Sequence, residues 1–211
     1  MCIRDSYGTL VVCALYGVIV SLLFRIVGFH RSAQWATARS FKYGMWATTG
    51  VNFRIIGGAE HLQTRPAIFV GNHQTALDVL FLGEIFPKYC AVTAKKQLKK
   101  VPFLGWFMAL SGTVFIDRAN RATALKAFEG AAKEIRDKKQ SVFIFPEGTR
   151  SDAETPTLLP FKKGAFHLAV QAKAPIVPVV TACYTGVLSV KAWRFRRGEI
   201  PVIGRFIQSM V

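Results

Sequence analysis

In the stretch Gly71-Asn72-His73-Gln74-Thr75-Ala76-Leu77-Asp78, a histidine and a carboxylate stand five residues apart between two apolar runs, 67–70 and 79–82. An imidazole held at one nitrogen by a carboxylate has a fixed tautomer and a more basic second nitrogen, which is the make-up of a general base. Such a base needs no serine nucleophile if it deprotonates a substrate hydroxyl directly. Within one helix, five residues turn through about 500°, leaving the two side chains about 140° apart. The pair therefore requires a loop that runs into a helix. With Thr75 as N-cap, Asp78 falls at the third helical position and His73 folds back from the loop. At this point an equal alternative stands, in which Asp78 only caps and His73 only hydrogen-bonds in a turn.

Two further stretches carry polar groups at the ends of apolar runs, and a third is an apolar run marked by a proline. Phe145-Pro146-Glu147-Gly148-Thr149-Arg150-Ser151 follows a strand-like segment, Ser141–Ile144. Gly148 permits positive φ and close backbone approach, and Arg150 offers a planar fork for phosphate oxygens. A solvated turn is the bland alternative. Gly112-Thr113-Val114-Phe115-Ile116-Asp117-Arg118 ends in an adjacent acid and base, which a surface ion pair would equally explain. Ile176-Val177-Pro178-Val179-Val180 is an apolar strand whose proline predicts a place near a sheet edge or a strand start.

The elements around these stretches alternate in type. Short apolar runs recur at 51–56, 67–70, 90–93, 114–116, 142–145 and 176–180, with helical stretches between them. The clearest is Arg121–Lys138, where Ala124, Leu125, Phe128, Ala131, Ala132 and Ile135 recur at helical spacing. Strands alternating with helices predict an α/β domain with a mostly parallel sheet flanked by helices, here over 51–211. Residues 1–50 differ. Tyr7 to Phe24 is an uncharged run about long enough to cross a bilayer, and reads as a membrane anchor, an interfacial helix or a signal segment. Residues 31–50 mix Trp35, Phe41, Tyr43 and Trp46 with Arg31, Arg39 and Lys42, as suits a second helix at headgroup level. A packed core helix is the alternative for both.

Composition points the same way. The 211 residues are 51% hydrophobic with mean hydropathy +0.29, and 28 Lys plus Arg oppose 12 Asp plus Glu for a net charge of +16. Basic and apolar together fit an anionic membrane surface or phosphate-bearing substrates. Nucleic acid is the competing partner, and no zinc-finger, helix-turn-helix or RNP-like pattern supports it. The four cysteines are scattered without metal spacing and predict neither a disulfide frame nor a zinc site. His30, His61 and His167 are read as structural or exposed. "MCIRDS" shows no helical logic and is read as foreign to the native chain, and the end after residue 198 is read as a strand that stops abruptly.

In this order and spacing the four stretches resemble the glycerophospholipid acyltransferase family, and within it the lysophosphatidate (1-acyl-sn-glycerol-3-phosphate) acyltransferases. The family's N-H-x-x-x-x-D motif falls on Asn72, His73 and Asp78. Its second block falls on 112–118, F-P-E-G-T-R on 145–150, and its fourth on Val177-Pro178. "TAKKQLKKVPFLGWFMALSG" and "LLPFKKGAFHLA" resemble fungal members. The resemblance covers residues 51–180 and implies catalysis by His73 and Asp78, with the sn-2 hydroxyl of lysophosphatidate attacking an acyl-CoA thioester directly. It implies Lys95, Arg118 and Arg150 for the acceptor phosphate, with Lys96 as a rival to Lys95. Glu147, Gly148 and Thr149 would shape the acceptor side, and Pro178 the pocket wall. It implies no metal and no cofactor beyond acyl-CoA as co-substrate. The membrane would be the endoplasmic reticulum for a fungal-type chain, or a bacterial inner membrane. Other lysophospholipids, or glycerol 3-phosphate, are the sister acceptors; enzymes for the latter more often carry E-G-G-R than the E-G-T-R found here. A non-catalytic basic membrane-binding module is the reading from another class.

Overall fold

The computed structural model describes residues 3–75, 78–117, 119–189 and 194–204. Two helices, α1 (Ile3–Ile26) and α2 (Ala33–Thr49), lead into β1 (Val51–Gly57) and β2 (Ile68–Gly71). The chain continues through α3 (Val79–Ile85), β3 (Cys90–Lys95), α4 (Leu104–Leu110), β4 (Val114–Ile116), α5 (Arg121–Lys138) and β5 (Ser141–Ile144). It ends with α6 (Gly164–Ala172), β6 (Ile176–Thr181), a short pair β7 (Leu188–Ser189) and β8 (Arg194–Phe195), and β9 (Gly198–Gly204). The helix predicted over Arg121–Lys138 is α5, and Asn120 caps it by accepting the Thr123 N–H at 3.1 Å.

Seven strands form one sheet in the order β1-β9-β6-β2-β5-β3-β4, and every pairing except β6–β9 is parallel. β2 and β5 are buried along their whole length, which is why they read as continuous apolar runs with no alternation. Alternate side chains enter two cores. Phe69 and Phe143 join Phe41, Met45, Phe53, Phe81 and Tyr184 on the face covered by α2 and α3. Ile68, Val142 and Ile144 join Ile135 and Leu168 beneath α5 and α6.

The second helix is wired to the sheet, and the first packs on α2 and α4. Gln34 on α2 is buried; its amide oxygen accepts the Val92 N–H at 2.9 Å, and its nitrogen donates to Ser111 O and to Thr113 Oγ1. α1 crosses close by because residue 17 is glycine: a Cβ there would lie 2.6 Å from the Phe107 ring and 2.9 Å from Thr37. Val12, Ile19, Leu23 and Ile26 of α1 face outward. Among the described residues no helix is long and apolar enough to cross a membrane.

One expectation is corrected here. The strand carrying Pro178 is interior to the sheet, between β9 and β2. Pro178 is tolerated because it pairs with Val70 of β2 on one side, while β9 joins the other side only from Val179 onward.

The parallel arrangement positions the chemistry. β6, β2, β5, β3 and β4 all run the same way, so the loops that follow them open on one edge of the sheet, where open α/β sheets bind ligands. That single edge receives the loops that follow β2 and β5, with His73, Asp78, Glu147 and Arg150, and Asp117 at the end of β4.

Candidate active site

His73 and Asp78 meet. The imidazole Nδ1 lies 2.5 Å from Asp78 Oδ2, with the histidine side chain 17% exposed and the aspartate 2%. The helix start differs from the expectation: α3 begins at Val79, Asp78 is its N-cap, and its side chain makes no cap bond. The reason is that the carboxylate is already engaged by the loop. Oδ2 also accepts the N–H groups of Gln74 at 2.8 Å and Thr75 at 3.2 Å, and Oδ1 accepts the Tyr184 hydroxyl at 2.5 Å. Three of these bonds draw residues 73–75 around the carboxylate. The turn that builds the pair is closed by Asp78 itself.

The loop after β5 clamps the other side. Glu147 is 2% exposed and is turned onto backbone, Oε1 accepting the His73 N–H at 2.7 Å and Oε2 the Leu159 N–H at 3.0 Å. The two loops are also laced strand-like, with Ser151 N–H donating to His73 O and Asp152 N–H to Gln74 O, both at 2.9 Å. The Phe145 ring stacks on the imidazole at 4.1 Å between centroids. Gly148 turns this loop at φ 69°, where a Cβ would meet the Lys162 side chain at 2.9 Å. From the β6 side, Asn72 behaves as an extra ladder rung: its Oδ1 accepts Thr181 N–H at 2.9 Å and its Nδ2 donates to Thr181 O at 3.0 Å.

His73 and Asp78 line a cavity of about 560 Å³. One part of its wall is apolar: Ala14 and Phe41 from the first two helices, Leu82 and Phe86 from the α3 region, and Leu104, Phe107 and Met108 from α4. Lys95, Thr149, Arg150 and Asp152 line the polar part. Lys95 and Arg150 are exposed, so they can reach an anionic group without losing hydration at rest. Lys96 is turned elsewhere and pairs with Asp117 at 3.1 Å, which holds that carboxyl below the usual carboxylate range. Asp117 thus answers to Lys96 across the strand ends.

Of the residues singled out in the sequence, His73, Asp78, Lys95, Thr149 and Arg150 share this cavity. Glu147 braces the histidine from outside it, Gly148 shapes the loop, and Pro178 lies within β6 away from the lining. Arg118 lies outside the described residues. Among the described residues, no three His, Cys, Asp or Glu side chains gather as metal ligands. Asn72 and Phe145, which belong to the motifs without an assigned role, complete the site, as does Tyr184, to which no sequence motif points.

The chain is similar to known acyltransferases in sequence and in fold. The acyltransferase family profile matches residues 54–182. A 1-acyl-sn-glycerol-3-phosphate acyltransferase of Saccharomyces cerevisiae is 49% identical over 186 residues, covering 88% of this chain and 61% of that protein. The human 1-acyl-sn-glycerol-3-phosphate acyltransferase beta is 38% identical over 164 residues, 78% of this chain and 57% of that protein. The chain thus spans about three fifths of the length of these relatives. The crystal structure of the lysophosphatidate acyltransferase PlsC from Thermotoga maritima superposes with a TM-score of 0.67 over 97% of this chain and 87% of that one, at 23% identity, and shares the fold. On the family match and these relatives, the chain belongs to the acyltransferase family.

Proposed function

We propose that the protein transfers an acyl chain from acyl-CoA to the sn-2 hydroxyl of lysophosphatidate, giving phosphatidate and free CoA. The observation that carries the reading is the His73–Asp78 pair set in the wall of a cavity that is apolar on one part and cationic on another. With Nδ1 held by the carboxylate, Nε2 is the nitrogen that takes the hydroxyl proton. The alkoxide oxygen bonds to the thioester carbonyl carbon, the C–S bond breaks, and the CoA sulfur leaves with the proton returned by the imidazolium. Asp78 stabilises that imidazolium while it exists. Lys95 and Arg150 take the acceptor phosphate, Arg150 through its fork and Lys95 as a point charge. The apolar wall takes acyl chain.

The setting proposed is a membrane surface. Val12, Ile19, Leu23 and Ile26 of α1 are exposed, as are Trp46, Phe103 and Trp106, and Lys96, Lys99 and Lys100, close in sequence to Phe103 and Trp106, are exposed too. Aromatic rings at the headgroup level with lysines nearby suit an anionic leaflet.

The test is CoA release from oleoyl-CoA across a panel of acceptors: lysophosphatidate, other lysophospholipids and glycerol 3-phosphate. Lysophosphatidate is expected to be used best, and His73→Ala to abolish the release. A parental rate in His73→Ala would contradict the catalytic reading, and a better acceptor elsewhere in the panel would reassign the substrate.

A further inference from the structure

Tyr184 sits in the loop after β6, and its side chain is 1% exposed. It shares no local pattern with the histidine or the aspartate and is 106 residues from Asp78. The sheet order places β6 directly beside β2, so the two loops leave the sheet as neighbours. The phenol hydroxyl donates to Asp78 Oδ1 at 2.5 Å. It also lies 2.8 Å from Thr75 Oγ1, and because its single proton goes to the carboxylate, the Thr75 hydroxyl is the donor in that contact. The ring is fixed edge-on against Phe53, at 6.1 Å between centroids and 86° between planes.

We propose that Tyr184 is a positioning residue for acyl transfer, its hydroxyl setting the rotation of the Asp78 carboxylate and sharing the charge that Asp78 presents to His73. This rests on the reading of His73 as the base. A carboxylate with one oxygen on the imidazole and loop amides can still pivot about that oxygen. The bond to Oδ1 removes the pivot. Burial, and then the neighbouring Asp78 charge, push the Tyr184 hydroxyl far above its ordinary range, so it stays a neutral donor throughout the reaction and does not compete for the proton in flight. A donor to the carboxylate also draws negative charge away from the imidazole contact, which limits how tightly the pair holds a proton. Other charges around the pair are Lys95 from β3, Arg150 and Asp152 from the loop after β5, and Glu147 on the His73 N–H. None of these contacts the Asp78 Oδ1 atom.

Tyr184→Phe keeps the ring and deletes the hydroxyl. Measured on lysophosphatidate and oleoyl-CoA, it is expected to lower kcat about tenfold or more with both KM values unchanged. The acid limb of the kcat/KM pH profile is expected to move up by about half to one pH unit, because the pair now holds its proton more tightly. Phe53→Leu, which loosens the packing of the ring and leaves the hydroxyl bond, should lower the unfolding temperature and leave the limb in place. Should Tyr184→Phe not fold, 3-fluorotyrosine in place of Tyr184, a stronger donor of the same shape, should move the limb down. A parental kcat and pH profile in Tyr184→Phe, an unmoved limb with fluorotyrosine, or equal limb shifts in Tyr184→Phe and Phe53→Leu would each overturn the proposal. If His73→Ala is inactive while Tyr184→Phe is parental, only this inference fails; if His73→Ala is active, the base assignment fails with it.

Discussion

At and just behind the base of the cavity, the lining Asp78 and the underlying Glu147 are 1% and 2% exposed, and their carboxylate oxygens meet N–H or O–H donors from three loops. At its mouth, Lys95 and Arg150 stand in solvent. The two regions differ in what a ligand has to change. Buried charges are tolerable only when fully bonded, so the base must arrive preorganised and rigid. Exposed cations cost nothing to leave unpaired and can adapt to a phosphate of uncertain position. Under the proposed function the base carries the chemistry and the mouth the binding, and mutations in each should leave different kinetic signatures.

His73→Ala should produce the largest effect, a loss of kcat of roughly a thousandfold or more, followed by CoA release. Next is Glu147→Gln, which leaves one of two amides, His73 N–H or Leu159 N–H, facing an NH₂ group. A buried donor without an acceptor costs about 1–3 kcal/mol, so the unfolding temperature should fall by several degrees, and activity should fall with it as the histidine loosens. An unchanged melting curve would show that Glu147 is not a brace. Gly148→Ala, strained by its φ of 69°, should cost about 1 kcal/mol in denaturant unfolding; the Lys162 contact adds little because that side chain end can move. The smallest effect belongs to the Lys96–Asp117 pair at the rim. Because the Asp117 pKa is lowered in the fold, any stability from the pair is present at neutral pH and lost as pH falls through the carboxylate range. Asp117→Asn should therefore change thermal unfolding only slightly at pH 7 and not at all in acid. A large change at pH 7 would mean the rim is structural.

Much of this was legible in the sequence where the rules are local. α5 declared itself through its apolar spacing, and β4 and β5 through short apolar runs bounded by turns. Helix geometry showed that His73 and Asp78 could meet only across a loop that runs into a helix, and left a capped turn as an equal alternative. The same local reasoning misplaced the cap, because nothing in residues 71–78 reveals that the Asp78 carboxylate is occupied by the amides of Gln74 and Thr75 and by a distant phenol. Glu147 carried no sign of facing inward: its partners, His73 N–H and Leu159 N–H, are set by the docking of two loops. Tyr184 and Gln34 reach the site and the sheet only through topology, across 106 and 58 residues respectively. An inward-facing polar residue after a strand next to β2 would have been the signal for Tyr184, and it requires the strand order to be known.

The most direct measurement sets Asp78→Asn beside Arg150→Ala, with kcat and both KM values determined on lysophosphatidate and oleoyl-CoA. Asp78→Asn should lower kcat by about a thousandfold with KM values little changed, since it alters the orientation and charge of the base. Arg150→Ala should raise the lysophosphatidate KM about tenfold while sparing kcat and the acyl-CoA KM. The same pattern in both variants, or a parental kcat in Asp78→Asn, would contradict the division between a catalytic base and a binding rim.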